Sequence, residues 1–210
     1  MSKRTRRRNF RRPIKHTVLI VCEGEQTERN YFDGLKRVDE VTKHYTVRVV
    51  PGKGGSRLQI VEHAVKKQKQ FRPDECWCVI DTERLNNAET RSDFAQAKAL
   101  AEKNNIYLAI SNPSFEVWLL AHFERTCRNF QDGDSAVEYL RACFKKVLNR
   151  DYEKNDKNIF EYLKGNICDA LNNSQAVRDH DHGDKTLVEE CNSSTTVSEL
   201  VSRLLKAPKE

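Results

Sequence analysis

Hydrophobic positions change their period several times along the chain, and the changes mark out a fold. His16–Cys22 (HTVLIVC) is an apolar run that suits a buried strand. From about Gln26 the spacing becomes helical, with Tyr31, Phe32, Leu35 and Val38 on one face. His44–Val50 (HYTVRVV) alternates like a strand, and the turn PGKGGS follows, with Ser56 placed to cap a helix reaching about Gln70. Cys76–Ile80 (CWCVI) predicts a short buried strand, Ser92–Asn104 a helix, and Ile106–Ile110 (IYLAI) a fourth strand. Strands alternating with helices of this length predict a parallel sheet with right-handed crossovers.

After residue 111 the strand period disappears. SNPSFEVWLLAHF reads as a helix with Pro113 at its first position and Asn112 as its cap. Further helical segments are predicted at about 134–148, 156–164, 167–178 and 195–206, the last announced by a capping cluster, NSSTT, from Asn192. No internal repeat is visible. The expected organisation is a basic arm at 1–15, an α/β core of four parallel strands flanked by helices at 16–122, and a helical C-terminal extension at 123–210.

Composition narrows the function classes. The 210 residues are 38% apolar and 32% charged, which suits a soluble, cytoplasmic protein. No run approaches the roughly 18 apolar residues of a spanning helix, and no apolar stretch follows the basic N-terminus as a secretory signal would require. The net charge of +6 is concentrated in the first 15 residues, MSKRTRRRNFRRPIK, which hold eight Lys or Arg and no acid. The remaining chain carries 29 basic against 31 acidic residues. Such an arm, with Arg4, Arg6, Arg7, Arg8, Arg11 and Arg12, is attracted to phosphate backbones, though it would also serve as a solubilising tail. The seven cysteines form no CxxC pair and suit small core residues in a reducing compartment. Cys76 and Cys78 should face the same side of their strand.

The first predicted strand ends in an unusual way. VLIVCEGEQTE places Glu23 and Glu25 around a glycine, where many α/β proteins carry a phosphate-binding loop. Asp81 and Glu83 follow the third strand (CVIDTER), and Glu116 lies in the first turn of the helix after the fourth. Loops after parallel strands gather at one sheet edge, where ligands bind. Acids separated by about sixty residues are therefore expected to meet there. Carboxylates without Cys or His partners favour a hard cation such as Mg²⁺, with Mn²⁺ as a possible substitute. Such an ion could grip a phosphodiester and activate water. Glu25, Glu28 and Glu116 also suit a plain role at a helix N-terminus.

These residues carry a family resemblance. A strand ending in Glu23-Gly24 and another ending in Asp81-x-acid resemble the Toprim fold of topoisomerases, primases and OLD-family nucleases. More narrowly, the chain resembles the RloB-like family of defence proteins through its basic arm, LIVCEGEQTERNYF (19–32), PGKGGS, the strand ending in Asp81, NPSFEVWLLAHF (112–123) and NSSTTVSELV (192–201). The resemblance implies a Toprim-like α/β fold and a Mg²⁺-dependent nuclease acting in phage defence by abortive infection, with an ATPase as partner. It also implies Glu23 as general acid/base and Asp81 as metal ligand. Glu83 stands where many Toprim proteins have Asp, and Glu116 has no counterpart in the minimal motif.

Other motifs are weaker. Lys53 and Arg57 in PGKGGSR could meet a nucleic-acid backbone ahead of a helix N-terminus, but the spacing is not that of a nucleotide-hydrolysing P-loop. His180 and His182 lie in a polar loop or a fraying helix end, and His122 suits packing or capping. Trp77 and Trp118 read as core. Two functions are compatible with the whole. One is a nuclease using Glu23, Glu25, Asp81, Glu83 and Glu116, with DNA preferred to RNA as substrate. The other is a non-catalytic sensing or nucleic-acid-binding subunit that works with the ATPase. Homo-oligomers are compatible with both.

Overall fold

Four strands form one all-parallel sheet in the order β2-β1-β3-β4. They are β1 (His16–Cys22), β2 (Tyr45–Pro51), β3 (Glu75–Asp81) and β4 (Ile106–Ser111). The computed structural model describes residues 15–52, 54–83, 85, 87–181 and 188–208. The arm with Arg4, Arg6, Arg7, Arg8, Arg11 and Arg12, as well as Lys53 and His182, lies outside the described residues.

Alternation along the central strands sends side chains to two cores. Leu19, Val21, Cys76, Cys78 and Ile80 meet α3 (Arg57–Phe71) and α4 (Ala88–Lys103) on one face. Val18, Ile20, Cys22, Trp77 and Val79 meet the remaining helices on the other. These are α1 (Thr27–Leu35), α2 (Asp39–His44), α5 (Glu116–Ala121), α6 (Gly133–Cys143), α7 (Ile159–Leu163), α8 (Ile167–Asp181) and α9 (Val197–Leu205). The helical extension is thus the second helical layer of the sheet and shares its core, from Trp118 at its centre to Leu200 and Leu204. No helix among the described residues is long and apolar enough to cross a membrane.

The predicted strands and the capping box of Ser56 with Gln59 are present. The structure differs from the sequence expectation at three places. Helix α2 has no counterpart in it; it is six residues long with only Val41 buried, too short for a periodic signal. Helix α5 begins at Glu116, not Pro113. The Asn112–Pro113 peptide is cis, and Asn112 N–H donates to the Ser194 carbonyl at 2.9 Å, so Asn112 is tied to a distant segment and does not cap α5. That segment, NSSTT, does lead into α9: the Thr195 hydroxyl accepts from Val197 N–H, the first amide of the helix, at 3.1 Å. It also laces along β4: Thr195 bridges Ser111, Thr196 N–H donates to the Ile110 carbonyl, and the Thr196 hydroxyl accepts from Ile110 N–H. This covers the C-terminal half of an otherwise open sheet edge. Lastly, Cys22, Cys76, Cys78 and Cys143 are buried, but Cys127 and Cys168 are exposed.

Gly34 in α1 is demanded by packing against α7. A Cβ there would stand 2.4 Å from Phe160 Cβ. A Gly-to-Ala change inside a helix ordinarily stabilises by about 1 kcal/mol. Here overpacking of about 1–3 kcal/mol should win. Gly34→Ala is therefore expected to lower the denaturation midpoint in urea; a raised midpoint would contradict the tight α1–α7 contact.

Candidate active site

β1 and β3 are neighbours, with Cys22 in register with Val79. The chain leaves β1 toward β2 on one side and later returns to β3 on the other. The crevice beyond the ends of β1 and β3 is therefore the topological switch point of the sheet. Glu23 and Asp81 flank it. Asp81 N–H donates to Glu23 Oε2 at 2.9 Å, and Glu23 N–H donates to the Val79 carbonyl. Two acids far apart in sequence are thus joined directly.

Glu28 completes the inner group, although in sequence it has the form of a plain helix-end acid. It lies in the first turn of α1, 4% exposed, and accepts from Gly24 N–H at 2.7 Å. Gly24 permits this approach, since a Cβ there would sit 3.2 Å from the same carboxylate. Glu116 is also buried; its two oxygens accept from the hydroxyls of Ser114 (2.7 Å) and Tyr152 (3.2 Å). Glu83 and exposed Glu25 line the rim of the cleft, together with Lys154 and Asn155 from the segment before α7. Glu83 also approaches the N-terminus of α6, where a Cβ on Gly133 would come within 3.2 Å of its Oε1.

Crowding governs the electrostatics. Burial, then the Glu28, Glu23 and Glu116 charges, push the Asp81 carboxyl well above the usual range, only partly offset by the Phe115 main-chain N–H. Burial and the Glu23 charge raise Glu28 to about 8. Burial raises Glu23 as well, against the pull of the Asp81 N–H and the Arg57 guanidinium. Asp81 Oδ1 is sealed from solvent and has no hydrogen-bond partner. A buried acceptor left unmatched costs on the order of 1–3 kcal/mol, so this atom marks a place where a donor or a cation fits.

Arg57 is placed differently from its expected backbone-binding role. Its Nε donates to the Asp81 carbonyl at 2.7 Å, and its terminal nitrogen donates to the Glu83 carbonyl. Its side chain therefore clasps the acidic strand end. The turn before it packs close as well, for a Cβ on Gly52 would lie 2.7 Å from the Cys22 carbonyl. His122 is a buried packing group. It contacts the Tyr31 hydroxyl through Nε2 at 3.1 Å and the Trp118 carbonyl through Nδ1 at 3.0 Å, and burial lowers it to about 4. Burial likewise drives the Cys22 and Cys78 thiols up, so neither is a ready nucleophile.

Among the described residues, no three His, Cys, Asp or Glu side chains are gathered as a ready metal-binding group. The reason is visible in the bonds above: Glu23, Glu28 and Glu116 are each drawn to a protein donor. The donor set itself, all carboxylate oxygen with one orphaned buried acceptor, suits a hard divalent cation.

No curated protein and no solved structure matches the chain. A family model described as RloB-like protein matches residues 18–204, from β1 to the last turn of α9, and the chain belongs to that family.

Proposed function

We propose that the protein is a metal-dependent nuclease of Toprim type that cuts nucleic acid in anti-phage defence. The observation that carries this reading is the bond between Asp81 N–H and Glu23 Oε2 across the switch point, beside the orphaned Asp81 Oδ1. Asp81, Glu23 and Glu28 would hold Mg²⁺ or Mn²⁺, with Glu83 and Glu25 at the rim and Glu116 behind. A divalent ion there would supply neutralising charge and Lewis acidity toward a phosphoryl oxygen.

The chain's own groups supply the proton handling. In hydrolysis water oxygen adds to phosphorus, the P–O ester bond breaks and the leaving oxygen takes up a proton. Glu23, fixed at the switch point by the Asp81 N–H, is suited to give that proton and to accept the one lost by water. Asp81 orients Glu23 through its main-chain N–H, and Arg57 fixes the backbone of Asp81 and Glu83. An ATPase partner, which the family resemblance of the sequence implies, belongs to the same proposal. So do a cytoplasmic setting, from the composition and cysteine usage, and self-association through the C-terminal helices.

A second reading, a sensing or nucleic-acid-binding subunit without catalysis, is favoured by the lack of a gathered metal-binding group among the described residues. The test is incubation of the full chain with supercoiled plasmid and with total RNA, in Mg²⁺, Mn²⁺ or EDTA. The nuclease reading expects cutting in metal and none in EDTA. Intact substrates that are nevertheless shifted on a native gel would favour the binding subunit.

A further inference from the structure

The cleft poses an electrostatic problem for a polyanionic substrate. Once ionised, Glu25, Glu28, Asp81, Glu83 and Glu116 repel phosphate, and the chain beyond the arm has no excess of positive charge. The Arg57 guanidinium donates to the main-chain carbonyls of Asp81 and Glu83 instead of facing a substrate. Cations are needed beside the cleft, in a fixed position.

The segment between α6 and α7 places them there. Residues 145–157 hold Lys145, Lys146, Arg150, Lys154 and Lys157 against three acids, and all five basic residues are exposed. The segment is anchored to the site from several sides. Thr27 donates through its hydroxyl to the Lys154 carbonyl, and Asn30 donates to the carbonyls of Asn155 (3.2 Å) and Asp156 (3.3 Å). Its Tyr152 is buried and donates to Glu116. Lys154 and Asn155 consequently line the same cleft as Asp81 and Glu28.

The flank of the segment has a shape that presents charge. α6 ends in a wide π-helical turn, Phe144–Leu148, closed by Asn149 in the left-handed conformation. Such turns often mark functional places. This one brings Lys145 and Lys146 to the surface beside Val147, one of two large apolar side chains left exposed among the described residues, at 57%. Arg150 is steadied on the Tyr162 ring, 4.4 Å from its centroid. Lys145 also meets Asp151 at 3.5 Å, an exposed pair that phosphate can compete for. Exposed cations around an exposed apolar tip suit a sugar–phosphate backbone, with phosphate oxygens on the cations and sugar carbons on the valine.

We propose that residues 145–157 form a docking surface for the phosphate backbone of nucleic acid, delivering the strand to the acidic cleft past Lys154. The identity of the polymer rests on the nuclease reading; the position of the surface rests on the anchoring contacts. Binding of labelled duplex DNA, single-stranded DNA and RNA to the full chain would be measured in Ca²⁺ across a salt series. Lys154→Gln/Lys157→Gln would be compared with Lys66→Gln/Lys69→Gln on α3, which covers the opposite face of the sheet and loses the same charge. The first pair should weaken binding about tenfold and flatten the log–log salt slope by about two, with melting unchanged. The second pair should do neither.

Equal weakening by both pairs would reduce the effect to net charge and overturn the docking surface. Unchanged affinity and slope in a folded first pair would overturn it too. Wild-type protein that cuts nothing in any metal, yet binds less tightly after the first substitution, would overturn the nuclease reading and leave the docking surface standing.

Discussion

Asp81→Asn is expected to reduce metal-dependent cutting by roughly a thousandfold or more, as loss of a group central to a catalytic unit typically does. It should not weaken the metal-free fold. Asparagine keeps the main-chain N–H that Glu23 accepts and the carbonyl that Arg57 holds, because neither bond involves the side chain. Where Asp81 ionises, at alkaline pH, the substitution removes a buried charge that Glu28, Glu23 and Glu116 oppose. Tm of the metal-free protein should therefore be unchanged near neutrality and rise at alkaline pH by about 2–4 °C for each kcal/mol gained. Affinity for nucleic acid in EDTA should hold near neutrality and increase at alkaline pH, where a repulsive charge has gone. The measurements are a nicking time course, calorimetry on the metal-free protein and a gel shift. Wild-type cutting by the variant would remove Asp81 from the centre. Lost cutting together with a clear fall in Tm would make Asp81 a structural residue.

The sheet was legible because its strands differ locally from everything around them. Val18–Cys22 of β1 is apolar throughout since both faces of a central parallel strand are covered, and Cys76–Ile80 of β3 reads the same way. Glu23 and Asp81 were legible as a pair because chain order alone puts the ends of such strands at one edge. The rest of the site was not local. Glu28 has the form of an ordinary first-turn acid; only its bond to Gly24 and its burial set it apart. Tyr152 and Lys154 reach the cleft from a polar stretch more than a hundred residues after α1, and no period or motif points there. Asn112 misled for a related reason. Its small polar side chain suits a cap, but tertiary pairing with Ser194 claimed its backbone first. Arg57 shows the same ambiguity, since a guanidinium serves a phosphate or a pair of carbonyls equally well and only the folded chain decides.

Glu28 makes the metal-free protein lose stability as the solution becomes more alkaline, opposite to the usual behaviour of a carboxylate. An ordinary Glu titrates at 4.5, and this one is raised to about 8 by burial and by Glu23. Between those values the folded state binds a proton that the unfolded chain has released. The stabilising contribution is therefore complete below about pH 4.5 and is lost as the pH rises through about 8. The other raised acids, Glu23 and Asp81, act in the same direction. Tm measured in EDTA should accordingly fall between pH 6 and pH 9 by about 5 °C or more. Glu28→Gln, which keeps an oxygen acceptor for Gly24 N–H and cannot ionise, should flatten that fall. Added Mg²⁺ should restore Tm of the wild type most strongly at the alkaline end, where the carboxylates are charged and a cation replaces the missing protons. A wild-type profile level from pH 6 to pH 9, or an equally steep one in Glu28→Gln, would remove Glu28 from the carboxylate group at the heart of the cleft.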